Sequence, residues 1–360
     1  MKKWLLCGCT ALLISGASAF GIDGISMKGD VRLRYENIDV DDGRDDRDRS
    51  RIRARLSLSG GITETVTAHL RIASGGDDPI STNQSFDDGF STKDFGLDRA
   101  YVDWAVQNGL NVWAGKMKQP FNRTGDLTFD DDLSPEGGAL RYSGSATDVT
   151  DVYANASVWV AEERSGGDDT TMLGVQAGVD SDASDTLSVG AGVSFYYWDN
   201  MQGFETLGGS AGNTVAGDGA GGTTYVNDYE VFEVSLTLAM TPAQISVPID
   251  VYGNYIVNNG ADSGGDTGYL VGVQIGTAKA PKTWSFDYNY RDLEADATVG
   301  AFTDSDSFGG GTNGEGHRLE GRYAITDNIQ SSLVLFLQKL DPDGADTDYT
   351  RLHADISFRF

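Results

Sequence analysis

Arg32 and Arg34 alternate with Val31, Leu33 and Tyr35, and Arg49, Arg51, Arg53 and Arg55 alternate with Ile52, Ala54 and Leu56. Thr67, His69 and Arg71 then alternate with Val66, Ala68, Leu70 and Ile72. A period of two places each basic set on one face of a β-strand. Neighbouring strands lie about 4.8 Å apart, so the guanidiniums gather into one patch. Arginine does not shed its proton, and the patch therefore needs counter-anions or facing carboxylates. The segment 119–137 offers Asp126, Asp130, Asp131, Asp132 and Glu136, together with Phe121, Leu127, Phe129 and Leu133. A purely solvated loop has no use for four large apolar side chains. The segment is expected to fold inward and pack on a wall, setting its acids against the arginines across a narrowed water path. Opposed charges in such a constriction create a transverse field, which orients dipolar solutes and rejects apolar ones. The competing reading is an exposed acidic loop whose carboxylates merely pair with the arginines.

The elements that would position these groups are strands. Gly, Asp, Asn and Ser fall in bursts between alternating runs, and sixteen strands are expected. They begin near Met27, Ser50, Glu64, Leu97, Leu110, Gly138, Asp151, Thr171, Thr186, Tyr229, Ile245, Gly268, Thr283, His317, Ile329 and Tyr349. Trp284, Phe286, Tyr288 and Tyr290, alternating with Ser285, Asp287, Asn289 and Arg291, show the pattern cleanly; Leu333 to Leu337 is apolar on both faces. Links after even-numbered strands are short, and those after odd-numbered strands are mostly longer and acidic. That sorting is the signature of an all-β transmembrane antiparallel β-barrel with short periplasmic turns and longer extracellular loops. A loop that hides a strand pair would change the count to 14 or 18. In hydrocarbon every backbone donor and acceptor must be paired internally, so the sheet must close. About sixteen strands enclose a space too wide for side chains to fill, which makes a water-filled lumen the default. Facing lipid, each arginine would cost roughly 2–4 kcal/mol at the midplane, so the lumen is where the ladder belongs. Tyr101, Trp104, Tyr196, Tyr197, Trp198 and Trp284 suit interfacial girdles.

The rest of the sequence bounds the setting. Lys2 and Lys3, the apolar run Trp4 to Ile14 and Ala17-Ser18-Ala19 read as a secretory signal over residues 1–19, with Phe20 the first residue of the mature barrel domain 20–360. Cys7 and Cys9 are the only cysteines and lie within that signal, so the mature chain has no thiol chemistry. The formal net charge is −27, and loss of Lys2 and Lys3 makes it more negative, which argues against a nucleic-acid partner. His69, His317 and His353 show no metal-ligand spacing, and no nucleophile motif or phosphate loop stands out, so neither a catalytic residue nor a cofactor is expected. Asp341 to Asp348 places carboxylates at alternate positions about Gly344, as calcium loops do, but lacks the distal Glu and reads as an acidic turn.

At the C-terminus Leu352, Ala354, Ile356, Phe358 and Phe360 share one face of a strand, and Arg351, His353, Asp355, Ser357 and Arg359 share the other. With Phe360 last, this strand resembles the C-terminal signal that the barrel-assembly machinery reads. Arg51 to Arg55, Pro79-Ile80-Ser81-Thr82-Asn83-Gln84, Gly96-Leu97-Asp98-Arg99-Ala100-Tyr101 and Ala114-Gly115-Lys116-Met117-Lys118-Gln119-Pro120-Phe121 resemble bacterial outer-membrane porins, most closely a putative-porin family of Gram-negative bacteria. Pro135-Glu136-Gly137-Gly138 resembles the constriction-loop tip of classical trimeric porins, without its Phe. The resemblance implies passive diffusion of small hydrophilic solutes and ions, often through a homotrimer. Outer-membrane lipid and lipopolysaccharide are then its surroundings. A substrate-selective channel is the alternative in the same class. A barrel enzyme and an adhesin or structural barrel are the alternatives outside it. Net charge and the loop acids predict a weak preference for cations.

Overall fold

A computed structural model describes residues 24–360 apart from 243, 246 and 263. The expected signal segment 1–19 and Phe20 lie outside the described residues. Sixteen strands form the wall: β1 (Ile25–Val40), β2 (Arg47–Gly61), β3 (Val66–Ser74), β4 (Phe95–Gln107), β5 (Leu110–Lys116), β6 (Glu136–Thr147), β7 (Thr150–Glu162) and β8 (Thr170–Ser184). They continue as β9 (Leu187–Asp199), β10 (Tyr229–Met240), β11 (Ile249–Asn258), β12 (Thr267–Gly276), β13 (Trp284–Leu293), β14 (Gly314–Ala324), β15 (Ile329–Leu340) and β16 (Thr347–Arg359). Each pairs antiparallel with its sequence neighbours. The cylinder closes where β1 meets β16, in register from Asp30 opposite Arg359 to Val40 opposite Tyr349. The last residue takes part in the seam: the Gly29 and Phe360 backbones exchange N–H···O bonds of 2.9 and 3.0 Å.

Alternation decides which side chains meet lipid. On β13, Trp284 and Phe286 are exposed outward, while Ser285, Asp287, Asn289 and Arg291 are buried inward. The ambiguous run on β15 resolves the same way: Leu333 and Leu337 face out, Val334 and Phe336 face in. Trp104, Tyr197 and Trp284 are exposed on the outer surface, as a girdle requires. Tyr101, Tyr196 and Trp198 are not girdle residues. All three are buried, Tyr101 against Trp113 and the other two under an inward-folded loop. They sit at odd or even positions that the strand register turns inward, and aromatic identity alone could not distinguish the faces.

The long connections cluster at one end, but the sorting rests on four of them: 75–94, 117–135, 200–228 and 294–313. The others at that end, such as 41–46 and 341–346, are no longer than the turn 241–248 at the opposite end. Within 341–346, Asp341 accepts bonds from Asn313 (3.1 Å) and from the Ala345 N–H (2.8 Å), as an ordinary turn does. The main apolar cluster lies inside the barrel. Phe121, Leu127, Phe129 and Leu133 of the loop 117–135 pack there with Trp159, Met172, Tyr196, Ile256 and Leu270 of the β7–β12 wall.

Phe360 lays its ring over Gly29 on the outer face, where a Cβ at position 29 would come within 2.4 Å of that ring and 2.9 Å of the Arg55 carbonyl oxygen. Gly29→Val should displace Phe360 at an overpacking cost of about 1–3 kcal/mol. The measurement is the fraction of compact barrel by heat-modifiable gel migration, expected to fall clearly below that of the unsubstituted chain.

Candidate functional site: a charged constriction

The arginine ladder faces the lumen, and it is largely neutralised. Arg34 grips Asp355 through two bonds of 2.8 and 2.9 Å and reaches Asp306 at 3.1 Å. Arg53 and Arg55 share Asp30 at 2.9 and 2.8 Å. Glu36, fully buried, is held by Arg49 and Arg351, with Arg51 at 3.7 Å. Arg32 donates to Asn83 Oδ1 at 2.6 Å, and Arg71 pairs with Asp98. His69 stacks on Tyr101 at 4.6 Å, deeper in the wall. The wall thus supplies most of its own counter-charge. Asp30 and Glu36 stand at the same parity as Arg32 and Arg34 in the sequence, and this signal could have found them.

The loop 117–135 crosses the lumen. Phe121 and Phe129 each pack on both Trp159 and Tyr196 at 5.0–5.8 Å. A Cβ at Gly125 would lie 3.1 Å from Asn254 Oδ1, so the loop runs close against β11 and β12. Its acids then part company. Asp126 bonds Arg291 on β13 at 2.8 Å. Asp132 bonds Arg55 on β2 at 3.0 Å and accepts from Thr82 Oγ1 at 3.0 Å. Asp131 pairs with Arg123 of its own loop. Asp130 accepts from the Ser305 N–H at 2.9 Å and the Asp132 N–H at 2.6 Å. Glu136 is outside this group. It is the first residue of β6, solvent-exposed, and pairs with Lys116 at 2.9 Å on the outward-facing parity of β5 and β6. The expectation that Glu136 lines the constriction is corrected: the loop ends at residue 135, and strand register turns the next side chain away from the lumen.

A second inward loop, 294–313, was not anticipated. It seats Phe302 on Trp198 (5.3 Å, stacked) and buries Ala297, Val299 and Phe308. Those apolar residues are the same kind of signal that marked the first loop. Its Asp304 bonds Arg291 at 3.2 Å, and its Asp306 bonds Arg34 at 3.1 Å and Arg351 at 2.7 Å. The two loops are stitched by the Asp130 N–H to Phe302 O bond of 2.8 Å. The loop 200–228 braces the second loop from the outer side, where Asn213 bridges the Ala295 and Thr298 carbonyls at 2.7 and 2.8 Å.

Below the two loops, toward the short-turn end, lies a cavity of about 630 Å³. Eight arginine or lysine side chains, eight acidic ones and His353 line it. Arg32, Arg34, Arg53 and Arg55 of the wall stand on one flank, and Asp126, Asp130, Asp131, Asp132, Asp304 and Asp306 of the loops form the roof. Balance on this scale means a strong local field with little net bias, so polar solutes are oriented without one sign being excluded. Glu36, Asp306 and His353 bring ligating atoms within 4.8 Å of one another. Arginines already bond both carboxylates, and the surrounding positive charge disfavours a metal cation there.

The chain matches the family described as "Putative porin" over residues 36–215 and 228–360. It belongs to that family. Pseudomonas putida OprB in its high-pH structure superposes with a TM-score of 0.60 at 13% identity, over 94% of both chains. The low-pH structure of the same protein gives 0.53 at 11% identity, over 94% of this chain and 93% of that one. A mutant of Rhodopseudomonas blastica porin gives 0.52 at 15% identity, over 93% of this chain and 100% of that one. At such identities the likeness is one of fold. None of the curated proteins matches the sequence. Family and closed barrel together make this an outer-membrane channel for passive diffusion of solutes.

Two outcomes test the constriction. Phe129→Ala removes a fully buried ring, a change that costs about 3–5 kcal/mol in a packed core. It should loosen the first loop and raise both mean single-channel conductance and its noise. The second concerns pH. Burial, then the neighbouring Asp304, pushes the Asp130 carboxyl up to about 9; burial, then Asp126, pushes Asp304 up to about 6. Raised carboxyl values favour the protonated form in the folded seam. That stabilisation is full below the ordinary value near 3.8 and is lost as pH climbs through about 6 and then about 9. Channel noise should therefore increase between about pH 4 and 9, and Asp130→Asn should abolish the part of that rise above about pH 6.

Proposed function

We propose that the channel is weakly selective: it passes small hydrophilic solutes and ions down their gradients, with a slight preference for cations. The observation behind this reading is the near-balanced lining of the 630 Å³ cavity, eight arginines and lysines against eight carboxyl side chains. The cation preference then comes from farther out, where the connections at the long-loop end together hold most of the acidic excess, including Asp77, Asp78, Asp87, Asp88 and Asp94 in one of them. Such charge raises local cation concentration within a Debye length of the entrance. Asp126, Asp130, Asp131 and Asp132, with Arg32, Arg34, Arg51, Arg53, Arg55 and Arg71, shape the field that a solute meets inside. His69 supports the wall behind it.

The same reading extends to assembly and surroundings. Export by a cleaved signal over residues 1–19, recognition of Phe358 and Phe360 by the barrel-assembly machinery, and contact with lipopolysaccharide follow from an outer-membrane location. A homotrimer is supported by a low side of the wall. β3 and β5 have only 9 and 7 residues, the upper edge of β2 is paired by the short segment 84–86, and Phe86, Phe95 and Leu97 are exposed nearby.

Planar-bilayer recordings test the reading. Discrete ohmic steps are expected, with a reversal potential in a potassium chloride gradient slightly on the cation side. Arg53→Gln with Arg55→Gln should move it further toward cations by several-fold in permeability ratio, whereas Arg51→Gln, which does not line the cavity, should move it little. Saturable flux of one solute, as distinct from block of the ionic current, would instead mark a selective channel, and silence under all salts would remove the pore.

A further inference from the structure

Asp306 is a loop carboxylate seated in a cup built by the wall. Its Oδ2 accepts from Arg34 Nη1 at 3.1 Å, and its Oδ1 lies 2.7 Å from Arg351 Nη2. His353 Nδ1 is 3.8 Å away. The cup itself is deeply buried: Arg34 is 5% exposed, Arg351 3% and His353 1%. The Asp306 side chain is 23% exposed and borders the cavity, so it plugs the open side of the cup. Arg32, Arg34, Arg49, Arg51 and Arg351 crowd this corner, and apart from Asp306 only Glu36 and Asp355 answer them. Arg51 Nε, Arg351 Nε and His353 Nδ1 are buried without hydrogen-bond partners among the described residues. Burial works to raise the Asp306 carboxyl, and Arg351 and Arg34 more than offset it, holding it well below the usual carboxylate range. The corner is therefore short of one anion whenever the loop leaves.

We infer that Arg34, Arg351 and His353 form a binding site for the carboxylate of a small organic acid, and that Asp306 of the loop 294–313 is its built-in competitor. This rests on the channel reading above. One planar carboxylate bridging two guanidiniums, one oxygen to each, is the arrangement already seen, and a solute carboxylate entering from the cavity can reproduce it. Exchange of the solute for Asp306 frees the corner of the loop that closes the cavity roof, so occupancy and opening are linked. A ligand acts in this way only because it binds the loop-out arrangement and not the loop-in one.

The test uses the full-length protein in planar bilayers, with potassium succinate titrated against a constant chloride current. Succinate should reduce that current saturably. Asp306→Asn, which vacates the cup, should lower the half-blocking concentration at least tenfold, and a further Arg351→Gln should reverse the gain. Asp131→Asn removes an acid from the same cavity lining but not from the cup, and should shift the half-block less than twofold. Equal shifts for Asp306→Asn and Asp131→Asn, or none for Asp306→Asn, would overturn the site. A second measurement needs no substitution: amide hydrogen exchange over residues 303–310 in detergent should speed up with saturating succinate and not with chloride at equal ionic strength. Unchanged exchange counts against the proposal. Absence of any wild-type chloride current would instead strike at the channel reading itself.

Discussion

A backbone N–H or C=O left unpaired in hydrocarbon costs several kcal/mol, and this one penalty sets the rest of the architecture. It forces sixteen strands into a cylinder whose first and last members meet, down to the exchange of bonds between Gly29 and Phe360. Closure fixes which residue of each pair looks inward. It thereby assembles charges from opposite ends of the chain, as when Arg34 meets Asp355 across 321 positions of sequence. The outer surface is ordinary for its solvent. The interior has to be something between a core and a cavity.

That interior is resolved by two different means on two sides. Along β7 to β12 an apolar cluster anchors the loops, with Phe121, Leu127 and Phe129 packed among wall aromatics. Along β13 to β4 the filling is ionic, and guanidiniums and carboxylates alternate between wall and loop. Buried pairs of this sort add little net stability once desolvation is counted, but a missing partner is expensive. They therefore act as position locks: the loops rest where each acid has its arginine, and the remaining space is the solute path.

Period-two patterning made the strand count, the inward ladder and the docking of the loop 117–135 readable from residue order. Arg55 bonds Asp132 at 3.0 Å, and Arg53 stands beside them in the cavity lining. What stayed hidden depended on register or on distant partners. Glu136 looked like a loop acid because nothing local shows that β6 starts there and turns it outward. Tyr101, Tyr196 and Trp198 looked like girdle aromatics because the inner wall beneath a loop needs the same residues as a lipid interface. Val299, Phe302 and Phe308 mark the loop 294–313 as apolar, but its partners Arg291, Arg34 and Arg351 come from three strands that share one flank only in the closed sheet.

The braced pair of inward loops has a consequence for how the molecule comes into being. Asp306 cannot find Arg351, nor Arg34 find Asp355, until the final strand has arrived. Before that moment Arg32 and Arg34 lack Asp355, while Asp30 and Glu36 already answer Arg49, Arg53 and Arg55. The gate is therefore hung last, after the walls are up. A chain halted one strand short would be not a smaller passage but an unguarded one, its second loop deprived of the seat that holds Asp306.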